Sequence, residues 1–398
     1  MVINVLAIGD VANVMKSLSK ITKKSKINIV NFPKDGKGIF IHDDNVDRFV
    51  SWKVKEQVEY INKIKKNYDI CIVMGTGERI AYLADLNYIS YYVGRDIDAP
   101  RFIKNSKESW FKTSLHKLNF LERKFYHNTF KNAIAHISGI WVYPFLQRYT
   151  ENGIKMDMQT IDNELFKNVK HEINIQKTKF TFFSPQRMGI PKGTDLLWKA
   201  LNFCKTDFEI LQVNWFDESN NEELEIKDKL LKELPPQVKL IPMIKRKKMP
   251  EYYSFADAII GNMRIGTWEL VDLEGVMCGK PVLSFSDPNH KLLVKGNYIQ
   301  SPFLPYSNKP EDIAKIIDKI VLSKEFRDKL FEDERTFVTN STDKEWISNW
   351  WDELFEKYSQ KYENIHKNSS SISIKIRMGL FLIGNRLYWK KIKKLIKI

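Results

Sequence analysis

Short apolar runs alternate with longer amphipathic segments along most of this chain, and no other feature limits the possible folds as strongly. Strands that are buried on both faces read as continuous apolar runs, whereas the segments between them show the spacing of helices. The alternation therefore predicts an α/β fold with parallel sheets and helices on both faces. The predicted strands lie at 2–8, 27–30, 70–74, 89–93, 133–137, 180–183, 209–213, 238–241, 258–260 and 282–285.

The predicted strands fall into two groups. A polar and weakly patterned stretch at 163–179 separates them, and 398 residues is long for a single domain. We therefore predict two Rossmann-like, doubly wound domains that face a cleft, at 1–165 and 166–343. A helix with an apolar face, in the segment 344–366, is predicted to pack back across the two domains, and a basic amphipathic tail follows at 367–398.

Composition excludes some classes of site and leaves others open. The formal net charge is +15, which suits nucleic acid, an anionic membrane surface or an anionic substrate. Lysine, isoleucine and asparagine are abundant throughout and no basic-aromatic nucleic-acid module is found, so nucleic-acid binding is the weakest of the three. The three cysteines are far apart and lack CxxC spacing. We therefore predict no disulfide framework, no zinc site and a reducing, cytoplasmic location.

The stretch 266–284, GTWELVDLEGVMCGKPVLS, is the most informative part of the interior. Apolar residues recur there at three- and four-residue intervals, so one face of a helix is buried, and Glu274 lies within that run. Gly279 tolerates the left-handed conformation that ends a helix, and Pro281 prevents its continuation. An acid in such a helix, near the carboxyl edge of a parallel sheet, can accept hydrogen bonds from a ligand's hydroxyls. An ordinary helix-to-strand step is the alternative.

A second motif, FSPQRMGIPKGTDLLWKAL at 183–201, runs from a buried strand through a loop into a helix. The loop holds Arg187 and Lys192, two cations five residues apart after a strand. Both can point into one crevice and neutralise a diphosphate, Arg187 through its planar guanidinium and Lys192 as a point charge. Two ordinary surface cations on a solvated loop are the alternative.

Together these motifs resemble the donor-binding domain of the retaining glycosyltransferases of group 1, also called family 4, which have the two-domain GT-B fold. The resemblance covers about 180–318 and is looser in the N-terminal half. Its pieces occur in the family's order: the strand-loop with Arg and Lys at 184–193, the next strand and helix at 238–257, the EAMACGKPV-like signature at 274–282 and, upstream, the turn at Gly9, the strand at 69–73 and the DNELF segment at 162–166.

The resemblance implies a role for each matching residue. Arg187 and Lys192 would bind the donor diphosphate, Glu274 would hold the ribose hydroxyls, and the backbone at Ile244 would meet the base. The Gly9 turn would also face the donor. The resemblance implies no metal and no other cofactor, because side-chain cations and helix N-termini stabilise the leaving nucleoside diphosphate. The nucleotide sugar is then a co-substrate.

One departure from the family pattern concerns the donor sugar. The family's first glutamate, eight positions before Glu274, contacts that sugar, and here Gly266 stands in its position. Either Glu269 takes its place after a local shift, or the loop 264–268, which includes Thr267, uses its backbone amides as a phosphate-facing nest.

The other departure lies in the N-terminal half, where many family members carry a histidine after the fourth strand and this chain reads YYVGRD at 91–96. Asp96 is therefore our candidate for orienting the acceptor or a sugar hydroxyl, and a helix N-cap or turn aspartate is the alternative. Asp96 and Asp98 also satisfy the Asp-x-Asp pattern of metal-dependent glycosyltransferases. Patterns this short arise by chance, and we predict no metal site.

The segment 372–398 mixes apolar residues with lysines and contains no acid. Such a basic amphipathic segment suits the surface of an anionic bilayer. We predict peripheral contact with the inner face of the cell membrane. Packing of the segment on the protein itself is the alternative.

The sequence thus predicts a metal-independent enzyme that moves a sugar from a nucleoside diphosphate to an envelope glycan or lipid-linked acceptor with retention of configuration. The domain at 166–343 would bind the donor, and the domain at 1–165 the acceptor. Two alternatives stay open: a non-catalytic glycan-binding protein of the same fold, suggested by Gly266, and a sugar-nucleotide epimerase of the same architecture.

Overall fold

The computed structural model describes residues 2–33, 46–103, 118–156, 158–218, 221–295, 297–362, 365–367 and 369–384. The chain divides into two compact units. The first unit is Met1–Met156 together with Lys344–Ile398, and the second is Asp157–Asp343. Part of the predicted basic tail, 385–398, lies outside the described residues.

The first unit is built around a parallel sheet. Its seven described strands are β1 (Ile3–Ile8), β2 (Ser25–Asn31), β3 (Asp47–Arg48), β4 (Ile70–Met74), β5 (Tyr88–Tyr92), β6 (Ala135–Gly139) and β7 (Gly153–Met156). They follow the order β3-β2-β1-β4-β5-β6-β7, and every neighbouring pair is parallel. The winding reverses between β1 and β4, the place where open sheets of this kind form a crevice at their carboxyl edge.

Short helices connect these strands and cover the sheet. They are α1 (Val14–Ser19), α2 (Val54–Ile64), α3 (Gly77–Leu83), α4 (Arg95–Asp98), α5 (Phe120–Asn132) and α6 (Tyr143–Leu146). The core forms where strand residues such as Leu6, Ile8 and Val73 meet Ile80 of α3 and Ile61 of α2. The continuous burial of β4 and β5 is what the apolar runs predicted.

The second unit has its own parallel sheet, with the order β10-β9-β8-β11-β12. Its strands are β8 (Phe180–Ser184), β9 (Phe208–Val213), β10 (Val238–Ile241), β11 (Ala258–Ile260) and β12 (Val282–Leu283). An antiparallel hairpin follows, formed by β13 (Lys291–Val294) and β14 (Asn297–Gln300). The helices of this unit are α7 (Thr194–Leu201), α8 (Asn221–Lys232), α9 (Met249–Phe255), α10 (Leu270–Met277), α11 (Pro310–Leu322) and α12 (Lys324–Ser341).

The chain then returns to the first unit with α13 (Lys344–Lys361) and α14 (Ser371–Gly384). Asp352 of α13 accepts hydrogen bonds from the backbone amides of Lys23 and Lys24, at 3.0 Å each. The Trp351 ring packs 5.8 Å from that of Tyr91, measured between centroids. These contacts attach α13 to the first unit.

The predicted α/β class with two doubly wound parallel sheets is confirmed. Some details of the strand prediction were wrong. The strand predicted at 133–137 lies two residues later, as β6 at Ala135–Gly139. The strand predicted at 282–285 ends at Leu283, and β3, β7 and the β13–β14 hairpin were not predicted. The missed strands are short or half-exposed, so they lack the continuous apolar run that marked the others. No described helix is long and apolar enough to span a bilayer.

Candidate functional site

The carboxyl edge of the second sheet gathers the residues predicted to bind the donor. β8, β9, β10 and β11 are parallel, so the loops that follow them emerge at the same edge. The predicted residues follow three of these strands: Arg187 and Lys192 after β8, Ile244 after β10, and Gly266, Thr267 and Glu269 after β11. Glu274 lies in α10, the helix that leads back from this edge.

The loop that carries Lys192 is fixed against the loop after β11. Gly193 has a φ of 71°, and a β-carbon on it would lie 2.9 Å from the Met263 carbonyl carbon. The Met263 amide donates to the Lys192 carbonyl oxygen at 3.1 Å. The Gln186 side-chain amide donates to the Gly261 carbonyl oxygen at 2.5 Å. Position 193 therefore requires glycine, because two backbones approach each other closely there.

Lys192 forms an ion pair with Glu269. Glu269 is the N-cap residue of α10, and its other carboxylate oxygen accepts a hydrogen bond from the Asn262 side chain at 3.3 Å. The side chains of Lys192 and Glu269 are only 21% and 19% exposed, so solvent screens their charges less than on an open surface. Two of the residues predicted to bind the donor thus meet in one contact.

Arg187 has a different partner. Its Nη1 lies 2.9 Å from Oδ2 of Asp217, which follows β9. A third cation of this edge, Arg264, pairs with Asp195 at 2.7 Å and donates through Nε to the Ile190 carbonyl oxygen. Each of the three cations is thus neutralised by a carboxylate from another segment of the chain.

Glu274 is 3% exposed, and both of its carboxylate oxygens are occupied. Arg246 Nη2 lies 3.0 Å from Oε1, and the Tyr253 hydroxyl donates to Oε2 at 2.9 Å. Burial raises the pKa of Glu274, while Arg246 and the Tyr253 hydrogen bond oppose that rise. Arg246 follows β10, two residues after the half-buried Ile244. Sequence reasoning missed Arg246, since no spacing links it to an acid 28 residues later.

The helix α10 ends as the sequence predicted. Gly279 has a φ of 81°, the Gly279 amide donates to Val276 O, and the Lys280 amide donates to Gly275 O. This pair of bonds is the Schellman arrangement that a glycine just beyond a helix permits.

Gly266 lies in a turn that does not accommodate a side chain. Its φ is 78°, and a β-carbon there would lie 2.9 Å from Asp287 Cβ and 3.0 Å from Phe285 Cε1. The Gly266 carbonyl oxygen accepts from the Asp287 amide at 2.8 Å and lies 2.9 Å from His290 Nδ1. The neighbouring Thr267 is fully buried, and its hydroxyl has no hydrogen-bond partner among the described residues. A glutamate at 266 would strain this turn, which accounts for the departure from the family pattern.

Asp272 is a further residue of this edge that sequence reasoning missed. Its Oδ2 accepts from the Glu269 amide at 2.7 Å and from the Ser284 hydroxyl at 3.1 Å. Burial raises the pKa of this carboxyl to about 8. Asp272 fixes the backbone at Glu269 by a capping box, and so it orients the side chain that meets Lys192. The signal in the sequence was Glu269 followed three residues later by Asp272.

Gly9 and Asp96 belong to the first unit. Gly9 has a φ of 85°, and a β-carbon there would lie 2.7 Å from the Met74 carbonyl oxygen, so the loops after β1 and β4 touch. Asp96 accepts hydrogen bonds from the backbone amides of Gly94, at 2.9 Å, and Val93, at 3.3 Å. Burial raises the pKa of Asp96 to about 6. These bonds make Asp96 a turn aspartate at the start of α4, and its predicted contact with an acceptor stays a prediction.

Glu78, in the first turn of α3, was not predicted. The hydroxyls of Ser90 and Tyr92 both donate to its Oε1 at 2.8 Å, and the Tyr92 hydroxyl lies 3.1 Å from His136 Nδ1. Burial raises the pKa of Glu78 to about 7 and lowers that of His136 to about 4. The register of β5 and β6 sets Ser90 opposite His136, an arrangement that no single stretch of sequence reveals.

No group of three His, Cys, Asp or Glu residues that could hold a metal ion occurs in the part of the chain that the structure describes.

Comparison with known proteins identifies the second unit. Residues 166–337 match the family model of the glycosyl transferases, group 1. This match is somewhat less than half of the chain and lies within Asp157–Asp343. No curated protein matches the chain in sequence.

Several solved structures share the fold of the whole chain. Anabaena Alr3699/HepE in complex with UDP-glucose is 16% identical, with a TM-score of 0.61 over 89% of this chain and 100% of that chain. Sucrose-phosphate synthase from Thermosynechococcus elongatus is 14% identical, with a TM-score of 0.63 over 89% and 99%. A glycosyltransferase from Rickettsia africae ESF-5 is 16% identical, with a TM-score of 0.58 over 92% and 100%. Identities this low show the fold alone, which is GT-B.

The family match and the predicted fold agree, whereas family 4 and retention of configuration stay predictions. The chain is a glycosyltransferase, and its residues 166–337 match the family model of the group 1 glycosyl transferases.

Proposed function

We propose that the chain transfers a sugar from a nucleoside diphosphate to a hydroxyl acceptor, with the donor bound at the carboxyl edge of β8 to β11. The observation that carries this proposal is the ion pair of Lys192 with Glu269 in the group 1 domain. A diphosphate is the kind of anion that competes with a carboxylate for such an ammonium group. The UDP-glucose bound by Anabaena HepE supports a nucleoside diphosphate sugar as the donor class.

Glycosyl transfer leaves negative charge on the departing nucleoside diphosphate, and this edge would stabilise that charge. The bond between the anomeric carbon and the diphosphate oxygen breaks, and the electron pair leaves with the nucleoside diphosphate. Lys192 and Arg187 would stabilise that charge as it develops, because both stand in partly enclosed positions. Fixed cations of this kind take the role that a metal ion has in other transferases, so we expect transfer without added metal.

Retention of configuration follows if the acceptor approaches the face from which the diphosphate departs. The acceptor oxygen then bonds to the anomeric carbon, and its proton passes to the departing phosphate oxygen, which is the nearest base. We assign the donor ribose to Glu274 and the base to the backbone near Ile244. Glu274 is already held by Arg246 and Tyr253, so a ribose hydroxyl would meet a carboxylate of fixed orientation.

We place the acceptor with the first unit and propose Asp96 as the group that orients it. An envelope glycan or a lipid-linked sugar is the acceptor class that we propose, together with a cytoplasmic location. Cys71 and Cys278 are buried and unpaired, and Cys204 is unpaired as well, which suits a reducing compartment.

A ligand screen followed by a variant comparison tests the donor site. We would measure the thermal shift of the purified chain with nucleoside diphosphates and their sugars. A ligand at a hundred times its dissociation constant should stabilise the chain by about 2.7 kcal/mol. Release of nucleoside diphosphate, with and without glycan acceptors, then separates transfer from isomerisation of the donor.

Lys192→Ala should abolish the thermal shift, whereas Lys179→Ala is the matched control. Lys179 precedes β8, at the opposite edge of the sheet, and also forms an ion pair, with Asp207 at 2.7 Å. Both variants lose one paired lysine from the same unit, so a general loss of charge affects them equally. Unchanged donor binding by Lys192→Ala would assign the diphosphate to other residues.

A further inference from the structure

The helix α14 has an inner face that is docked and an outer face that is not. On the inner face, the Phe381 ring packs 5.1 Å from that of Phe125 in α5, and Met378 joins the same core. Arg377 forms a 2.7 Å ion pair with Asp85, and its side chain is 11% exposed. The inner face thus fixes the orientation of the helix on the first unit.

Four apolar side chains stand on the outer face. The exposed fractions are 68% for Ile372, 57% for Ile376, 44% for Leu382 and 45% for Ile383. Their spacing places Ile372, Ile376 and Ile383 along one side of the helix, and Leu382 borders that side. Gly379 lies on the same side as the three isoleucines, where a β-carbon would meet nothing within 4 Å. A helix face that remains in water is normally polar, so this face is unusual.

The neighbouring helix α13 shows the usual arrangement. All of its exposed positions are polar or charged: Lys344, Glu345, Asn349, Glu353, Glu356, Lys357, Gln360 and Lys361. The two helices follow each other in the chain and dock on the same unit, yet their outer faces differ in kind. The apolar face of α14 is therefore a local feature and not a property of the whole surface.

Phe120 extends the apolar surface beyond α14. It is the first residue of α5, and its side chain is 68% exposed. Asn119, just before it, donates through its side chain to the Gly384 carbonyl oxygen at 2.9 Å, which joins the start of α5 to the end of α14. We name the five exposed apolar residues the outer patch: Phe120, Ile372, Ile376, Leu382 and Ile383.

The charge of the segment 371–398 indicates which kind of partner covers the outer patch. The sequence from 371 to 398 has no acid and has eight cations, namely Lys375, Arg377, Lys390, Lys391, Lys393, Lys394 and Lys397 together with Arg386. Arg377 is neutralised by Asp85, and a second copy of the chain would carry the same excess of the remaining positive charge, which opposes association. An anionic lipid surface suits both the cations and the exposed apolar residues. Its headgroups attract lysine, and its acyl boundary takes up isoleucine and phenylalanine.

We propose that the outer patch rests on an anionic bilayer surface, with α14 parallel to the membrane plane. This surface lies on the first unit and does not depend on the donor site. Glycosyl transfer in solution and attachment to lipid are therefore separable properties.

Sedimentation with vesicles tests the proposal. The full chain should sediment with vesicles of equal parts phosphatidylglycerol and phosphatidylcholine, and far less with phosphatidylcholine alone. The double variant Ile376→Asp with Ile383→Asp should weaken partitioning by about tenfold or more. Replacing the lysines at 390, 391, 393, 394 and 397 with glutamine should weaken it about fivefold for each lysine that reaches the headgroups.

Leu322→Asp is the matched control for the isoleucine variant. Leu322 is 76% exposed at the end of α11 in the second unit, and this variant should sediment as the parent chain does. No sedimentation with anionic vesicles, or equal sedimentation with both vesicle types, would overturn the proposal. So would light scattering that shows a dimer of the parent chain and a monomer of the isoleucine variant with unchanged vesicle binding. The lysine variant alters no residue of α14, so it provides a test even if the isoleucine variant unfolds.

Discussion

The acidic side chains at the carboxyl edges of the two sheets differ in their partners. At the edge of the second sheet most of the acids named above neutralise cations, as Glu269 does with Lys192 and Asp217 does with Arg187, and Asp272 is the exception. At the edge of the first sheet, Glu78 and Asp96 are held by hydroxyls and backbone amides, and burial raises the pKa of both. The acids named at the first edge have hydroxyl and amide partners and raised pKa values, about 7 for Glu78 and about 6 for Asp96, whereas most of those at the second edge have a cation as partner.

Removal of a cation from the second edge should have the largest effect. We expect Lys192→Ala to lower the turnover of donor by about a hundredfold to a thousandfold, the usual cost of losing a group that stabilises developing negative charge. Release of nucleoside diphosphate over a range of donor concentrations measures this loss as kcat/KM. Lys179→Ala should stay near the parent rate. A small effect of Lys192→Ala would contradict this prediction, because the ion pair with Glu269 would then only stabilise the fold.

The two edges should respond alike to changes at their glycines. Gly266→Ala and Gly9→Ala each add a β-carbon at a positive φ, to contacts of 2.9 and 2.7 Å. We expect each to lower the free energy of unfolding by about 1–3 kcal/mol, as measured by urea denaturation. Gly139→Ala, where a β-carbon would meet nothing within 4 Å, is the control and should change stability by less than about 0.5 kcal/mol. If Gly266→Ala were as harmless as the control, the reason given above for the missing glutamate would be wrong.

Asp272 supports the second edge as an acid that is largely protonated at pH 7. Its folded pKa of about 8 lies above the unfolded value of about 3.9, so its contribution to stability falls as pH rises between these two values. Asp272→Asn should remove that pH dependence and keep the bonds to Glu269 and Ser284. Asp272→Ala should cost about 1–2 kcal/mol, because the cap is lost. Equal stability of the two variants across pH would contradict this assignment.

The smallest change in stability is expected at the first edge, where the contributions of two groups depend on pH in opposite directions. Glu78 has a raised pKa of about 7, so its contribution to stability falls with rising pH above its unfolded value of about 4.3. His136 has a lowered pKa of about 4, so its contribution rises with pH up to its unfolded value of about 6.5.

Relative to the parent chain, Glu78→Gln should therefore make stability rise more steeply between about pH 4.3 and 6.5, and His136→Gln should do the reverse. Urea denaturation at several pH values measures both slopes. Parallel curves for the two variants would contradict the opposite pKa shifts assigned to Glu78 and His136.

Local patterns predicted much of the fold. The strand at 70–74 has the bounds of β4, and Gly279 ends α10 in the left-handed conformation expected of it. Such features depend on residues that are close together in the chain, so a short stretch of sequence is enough to predict them. The strand β3 has two residues and no apolar run, and a pattern of this length carries no signal.

The candidate site was predictable only where its residues stand in one motif. Arg187, Lys192, Glu269 and Glu274 stood out in the sequence, but the partners of Arg187 and Glu274 did not, because Asp217 and Arg246 come from other loops of the sheet. Glu78 looks like any acid in the first turn of a helix, where acids are common. Its link to His136 through the Tyr92 hydroxyl depends on the register of β5 against β6, and that register is a property of the folded sheet.

The attachment of α13 to the first unit has a consequence during synthesis. The ribosome makes Asp352 and Trp351 only after all of Asp157–Asp343 has been translated. At bacterial or eukaryotic elongation rates this delay is roughly ten to forty seconds. Throughout that interval the nascent first unit lacks the helix that covers Tyr91 and binds the amides of Lys23 and Lys24. The later half of the polypeptide therefore has time to fold while the earlier half is still incomplete.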